Sequence, residues 1–117
     1  MPSPMPVIAV LTNLPDSGSA FNLARSLVER RLAACANVLA PATSFFRWDG
    51  RLQEASEVPV ILKTTAERYP ELERALRELH PYDTPEILAF DASRGLPDYL
   101  AWLEAECKPP AEDSSPP

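Results

Sequence analysis

Thr43-Ser44-Phe45-Phe46-Arg47-Trp48-Asp49-Gly50-Arg51 is the stretch on which the fold turns. Aromatic and hydroxyl side chains dominate up to Trp48, the composition of a β-strand. Asp49-Gly50 then supplies two residues that tolerate positive φ, which a two-residue hairpin turn requires. Arg51 to Thr64 reads as the return strand, with Val58, Val60, Ile61 and Leu62 as its apolar portion. Pro59 has no N–H and predicts an edge position or a bulge there. Roughly a dozen residues on each side of the turn reach about 40 Å at the rise of a strand. A domain of this length has a radius of gyration of only about 13–14 Å. The far end of the hairpin, with Phe45, Phe46 and Trp48, should therefore project. Exposed aromatic strand edges seek partners, so the expectation is a homo-oligomer built on strand pairing between protomers.

Working outward, Val7-Ile8-Ala9-Val10-Leu11 reads as a buried central strand. Pro15-Asp16-Ser17-Gly18 breaks it, and Asp16 or Ser17 can cap the next helix. Ala20, Ala24, Leu27, Val28 and Leu32 recur at helical spacing, and Ala33 to Val38 turns into the second strand. Beyond the hairpin, Thr65 looks like the cap of a second helix. That helix has the stripe Tyr69, Leu72, Leu76 and Leu79, and its charge run Glu71 to Glu78 is a solvated face. Pro70 fits only the first turn of that helix. Pro81 and Pro85 bias the residues before them away from helix, which predicts a stop near Leu79 or His80 and a strand over Glu86-Ile87-Leu88-Ala89-Phe90. Gly95-Leu96-Pro97 opens a last helix with Tyr99, Leu100, Trp102 and Leu103. The order βαββαβ predicts an α+β, ferredoxin-like sandwich. It has a long hairpin between its second and third strands and an extra C-terminal helix. Residues 6–107 form one domain. Residues 1–5 read as a flexible N-terminus and 108–117, rich in Pro, Ser and acid, as a disordered tail.

The chain has 117 residues and a formal charge of −6. An acidic chain repels a phosphate backbone, so nucleic acid is excluded as a partner. Its two cysteines, Cys35 and Cys107, lie far apart and read as free thiols in a reducing compartment. Val7 to Leu11 is too short an apolar run for a signal-peptide core or a membrane span. The expectation is a soluble, cytoplasmic protein without a membrane partner.

Function must be argued from sites rather than from the fold class. The loop Thr12 to Gly18 holds no cysteine, against a metal chaperone, and no arginine, against an acylphosphatase-like anion cradle. The two central strands carry no aromatic residue, against RNA recognition. Three separated glycines make no nucleotide loop. What remains centres on His80-Pro81-Tyr82-Asp83-Thr84-Pro85-Glu86-Ile87, which holds the sole histidine. A neutral imidazole is a common metal ligand. One histidine and one thiol, Cys35, cannot fill a tetrahedral site unless carboxylates, water or a neighbouring chain contribute. Cu(II) or Zn(II) suits the imidazole. Lys63 closes an apolar strand, and Trp48 beside the turn reads as an interface anchor.

Leu32-Ala33-Ala34-Cys35-Ala36-Asn37, Trp48-Asp49-Gly50, Lys63-Thr64-Thr65, His80 to Ile87 and Tyr99-Leu100-Ala101-Trp102-Leu103 stand in the order and spacing of the CutA family of divalent-cation tolerance proteins. The resemblance runs from about Val7 to Glu104. It implies a ferredoxin-like protomer in a tight, PII-like homotrimer locked by the long hairpin, a link to copper tolerance and divalent metals, and no enzymatic reaction. His80 matches the family's His-Pro-Tyr histidine. Leu79 and Thr12 stand where some members carry a further histidine and a cysteine, and neither is a ligand for soft metals. The expected metal residues are His80 as principal ligand with Asp83, Glu86 and Cys35. Trp48, Lys63 and Tyr82 are expected in the inter-subunit cleft. A divalent ion would be bound weakly and not as an obligatory cofactor. The alternative is a PII-like signalling or scaffold trimer that takes a small molecule or partner protein in those clefts. A third reading is an enzyme with His80 as general base, oriented by Asp83.

Overall fold

The computed structural model describes residues 6–109. The expected loose N-terminus, 1–5, and the tail beyond residue 109 lie outside the described residues. Lys108, counted in that tail, is held on the last helical turn, its N–H donating to the Ala105 carbonyl at 3.3 Å.

The elements run β1 (Val7–Leu14), α1 (Ser17–Glu29), β2 (Cys35–Val38), β3 (Ala42–Trp48), β4 (Arg51–Thr65), α2 (Tyr69–Leu79), β5 (Leu88–Ala92) and α3 (Pro97–Glu106). All the strand pairs are antiparallel, in the order β2-β4-β1-β5, with β3 on the outer half of β4. This is an α+β fold with an antiparallel sheet and three helices.

Side chains alternate across a strand. Ile8, Val10 and Leu14 of β1 and Val58, Val60 and Leu62 of β4 therefore share one face. They pack there with Leu23 and Leu27 of α1 and Leu72 and Leu76 of α2. Asp16 caps α1 by accepting the Ser19 N–H at 2.7 Å. The helix ends at Glu29, short of Leu32, because Arg31 turns left-handed at φ 58. The N–H groups of Arg31 and Leu32 then donate to the carbonyls of Val28 and Leu27, the paired bonds of a Schellman end. A smaller cluster of Val7, Ala34, Leu103 and Cys107 seats α3 at the end of β4 away from the hairpin.

The second strand is divided. β2 and β3 both pair with β4, and Leu39-Ala40-Pro41 interrupts them. Pro59 lies opposite this gap: its carbonyl accepts the Leu39 N–H at 2.9 Å. The N–H and C=O of one strand residue point to the same side, so the donor that proline lacks is missing only where the ladder already breaks. Pro59 thus occupies a local edge inside a central strand.

Two boundaries move from the sequence reading. β5 begins at Leu88 rather than Glu86, because its pairing with β1 ends at Leu11 opposite Leu88. Glu86 spends its carboxylate on the Asn13 side chain instead. Thr65 closes β4 and accepts the Arg68 N–H at 3.3 Å, bracing the turn, while Arg68 occupies the helix cap position and Pro70 the first turn.

The ribbon of β3 and β4 projects. The radius of gyration is 16.0 Å and the extents are 54 × 38 × 23 Å, against about 13 Å for a compact chain of this length. Trp48 is 58% and Leu52 71% exposed. The sheet face away from α1 and α2 is also open. Register puts Ala9, Leu11, Ile61, Leu88 and Phe90 on it, and Phe90 is 53% exposed.

Candidate functional site

The segment between α2 and β5 meets the base of the ribbon. His80 leaves α2 with extended backbone, φ −77 and ψ 134, as Pro81 demands. Its ring folds over the end of β1, where Nε2 lies 2.8 Å from the Asn13 carbonyl oxygen. A carbonyl only accepts, so Nε2 carries the proton. Nδ1 is then the acceptor, and it takes the Tyr82 N–H at 3.2 Å. The residue is 7% exposed. Burial pulls the imidazole pKa below its ordinary value, while the Asn13 carbonyl and the Glu57 charge pull it partway back. His80 is a neutral strut with both ring nitrogens engaged. The lone pair that a metal or a general base needs is the one holding Tyr82.

Tyr82 tilts against this ring at 4.9 Å between centroids. Its hydroxyl donates to Glu57 Oε2 at 3.0 Å. Burial, and then the Glu57 carboxylate, push the phenol up to about 12. Glu57 itself is buried on β4, opposite Ala42. Register sets Ser44, Phe46, Trp48, Ala55 and Glu57 on one face of the ribbon. That face and the segment Tyr82 to Glu86 enclose a hollow of about 380 Å³, lined by Asn13, Ser44, Phe46, Trp48, Glu57 and Tyr82 among others. A neighbouring hollow of about 520 Å³ shares Phe46, Trp48, Glu57 and Tyr82 and reaches Asp83.

The expected site residues divide into groups. Trp48, Tyr82 and Glu86 come together at the cleft, and His80 stands behind it as support. Glu86 Oε1 accepts from Asn13 Nδ2 at 3.0 Å. Asp83 sits at the outer edge, where it also lines a hollow with Arg74 and Arg77 of α2. Cys35 and Lys63 are elsewhere. They pair across β2 and β4, at the level of Ala9 rather than Asn13, about 13 Å along the sheet. The Cys35 thiol is 3.6 Å from the Tyr99 hydroxyl, and Lys63 Nζ donates to Asn37 Oδ1 at 2.6 Å. Among the described residues, no three His, Cys, Asp or Glu side chains gather to hold a metal. The sequence reading missed Glu57, Phe46 as a lining residue, and Asn13. The available signal for Glu57 was its even spacing from Gln53 and Ala55, which puts it on the face of Phe46 and Trp48 once the turn is fixed.

Comparison with known proteins agrees with this architecture. The family model described as CutA1 divalent ion tolerance protein matches residues 8–106. The divalent-cation tolerance protein CutA of Pectobacterium atrosepticum is 42% identical over 101 residues, covering 86% of this chain and 92% of that protein. The structure of the divalent cation tolerance protein Cut A1 of Thermus thermophilus superposes with a TM-score of 0.84 at 39% identity, over 86% of this chain and 97% of that one. A structure titled periplasmic divalent cation tolerance protein CutA, from Archaeoglobus fulgidus, gives 0.84 at 33% identity, over 87% and 99%. A matching family model over nearly all of the described residues, with relatives of this identity and coverage, leaves one assignment: the chain belongs to the CutA1 divalent ion tolerance family.

Proposed function

We propose that the chain acts as a cytoplasmic homotrimer of ferredoxin-like protomers, assembled in the PII-like manner. It takes up divalent cations such as Cu(II) or Zn(II) weakly in clefts between copies and catalyses no reaction. The observation that carries this reading is the unfinished protomer. Its sheet exposes the apolar face of Leu88 and Phe90, and its ribbon exposes Phe45, Trp48 and Leu52. Apolar surface of this extent is stable in water only when covered. The described residues of one copy offer carboxylate oxygens at Glu86 and Asp83 but no complete donor set, so a neighbour completes it. His80, its lone pair committed to Tyr82, positions the cleft rather than leading the ligand set. Cys35 and Cys107 are unpaired, in keeping with a reducing compartment.

Sedimentation and calorimetry test this. Wild type should sediment as a trimer, and Phe90→Glu should dissociate it with its far-UV spectrum kept. Glu86→Gln should weaken Cu(II) and Zn(II) binding about tenfold, the loss of roughly 1.4 kcal/mol. A monomeric wild type, or unchanged binding in both Glu86→Gln and Asp83→Asn, refutes the reading.

A second reading is favoured by the aromatic lining of the cleft: a PII-like signalling trimer whose cleft takes a small organic ligand. Thermal-shift screening of metals against metabolites separates the two.

A further inference from the structure

Glu57 is the only acidic residue among the buried residues described. Taking a carboxylate out of water is costly unless a cation compensates it. Tyr82 supplies one hydrogen bond to Oε2. The ion pairs among the described residues are Arg31–Glu106 and Arg68–Glu71, and neither places a cation on Glu57. The hollow it faces has no Lys or Arg in its lining. Its walls are the rings of Phe46, Trp48 and Tyr82, and its polar groups are the Ser44 and Thr84 hydroxyls, the Asn13 carboxamide and Glu86.

Ring faces carry negative charge density and attract organic cations. Hydroxyl and carboxylate oxygens accept N–H bonds. At about 380 Å³ the hollow falls within the range of small-molecule sites, roughly 300–1,000 Å³. The Phe46 and Trp48 rings offer a transition metal no ligand atom, whereas an ammonium or guanidinium group uses both these rings and the carboxylate. We propose that this hollow binds an organic cation bearing N–H donors, an alkylammonium or alkylguanidinium, with Glu57 as its counter-ion and Trp48 and Phe46 stacked on it. The proposal rests on the reading that the cleft takes a small ligand, and it names the class.

The chain has two tryptophans, so Trp102→Phe leaves Trp48 as the sole reporter. That protein is titrated with butylammonium and butylguanidinium at constant ionic strength. Tetramethylammonium serves as the cation without N–H donors, and n-butanol as the neutral analogue. Saturable changes in Trp48 emission are expected with the first two, with n-butanol and tetramethylammonium at least fivefold weaker. Glu57→Gln should weaken the cations about tenfold or more, as expected for a charge-assisted hydrogen bond. Trp48 lies outside the protomer core and leucine keeps an apolar side chain at the proposed contact between copies, so Trp48→Leu should keep the fold and the assembly, and by calorimetry it should lose about fivefold, as for a partly exposed ring–cation contact. Equal binding of n-butanol, unchanged affinity in both Glu57→Gln and Trp48→Leu, or no saturable response overturns the proposal. If a neutral or anionic metabolite shifts the melting temperature while neither N–H cation binds, the small-ligand reading survives and this assignment of its class falls. No response to any organic compound removes both.

Discussion

Replacing His80 by alanine separates a structural histidine from a metal ligand. The ring joins the Asn13 carbonyl to the Tyr82 N–H, at 2.8 and 3.2 Å, from a position 7% exposed. His80→Ala leaves both of those backbone groups without a partner. Both bonds are only part-buried, so water reaches part of what is freed, and the pair predicts a loss of about 1–3 kcal/mol. Whole domains are held by only about 5–15 kcal/mol. Urea unfolding followed by circular dichroism should be run in a chelating buffer at one fixed protein concentration, since assembly adds to apparent stability. A pH series adds a second signature. Burial depresses the folded-state pKa of His80, so the unfolded chain, with its histidine near 6.5, binds a proton that the folded chain refuses. The contribution is fully present above about pH 6.5 and is lost as pH falls toward the lower folded value. His80 is the only histidine, so this slope should vanish in His80→Ala. A loss below about 0.5 kcal/mol, or one that appears only with metal present, refutes the strut and returns His80 to the ligand set.

The Tyr82 phenol, pushed up to about 12 by burial and Glu57, should ionise last in a tyrosinate absorbance titration, and Glu57→Gln should bring it down. Because the folded state keeps that proton longer than an ordinary phenol near 10, this contribution to stability holds below about pH 10 and fades as pH climbs toward the folded value. A Tyr82 that ionises with the other tyrosines contradicts the contact. At the ribbon tip, Asp49 and Gly50 both have positive φ, 52 and 72. No atom crowds a β-carbon at Gly50, so Gly50→Ala should cost about 1 kcal/mol from backbone strain alone. A neutral result by chemical denaturation would mean that the turn re-forms in another geometry.

The sequence by itself determined the local structure and the family. The apolar run Val7 to Leu11, the stripe of Leu72 and Leu76, and the turn at Asp49-Gly50 are each written within a few neighbouring residues. Periodicity and turn chemistry act at that range. Even Pro59 announced an irregularity, though only the sheet showed that it sits against the break between β2 and β3. The projection of the ribbon followed from counting strand rise. The cleft did not follow, because its chemistry is decided between residues remote in the chain. His80 and Asn13 are 67 positions apart, and Tyr82 and Glu57 are 25 apart. The sequence names an imidazole but not where its lone pair is spent. It puts Cys35 in one candidate ligand set with His80 as principal, and only strand register sets them at different levels of the sheet. Glu57, one acid in a polar run, acquires its meaning when the third dimension buries it beside the Tyr82 ring, with no ion-pair partner among the described residues. Hydrogen-bond partners and desolvation are properties of the folded neighbourhood, so the tertiary structure alone decided which side chains can do chemistry.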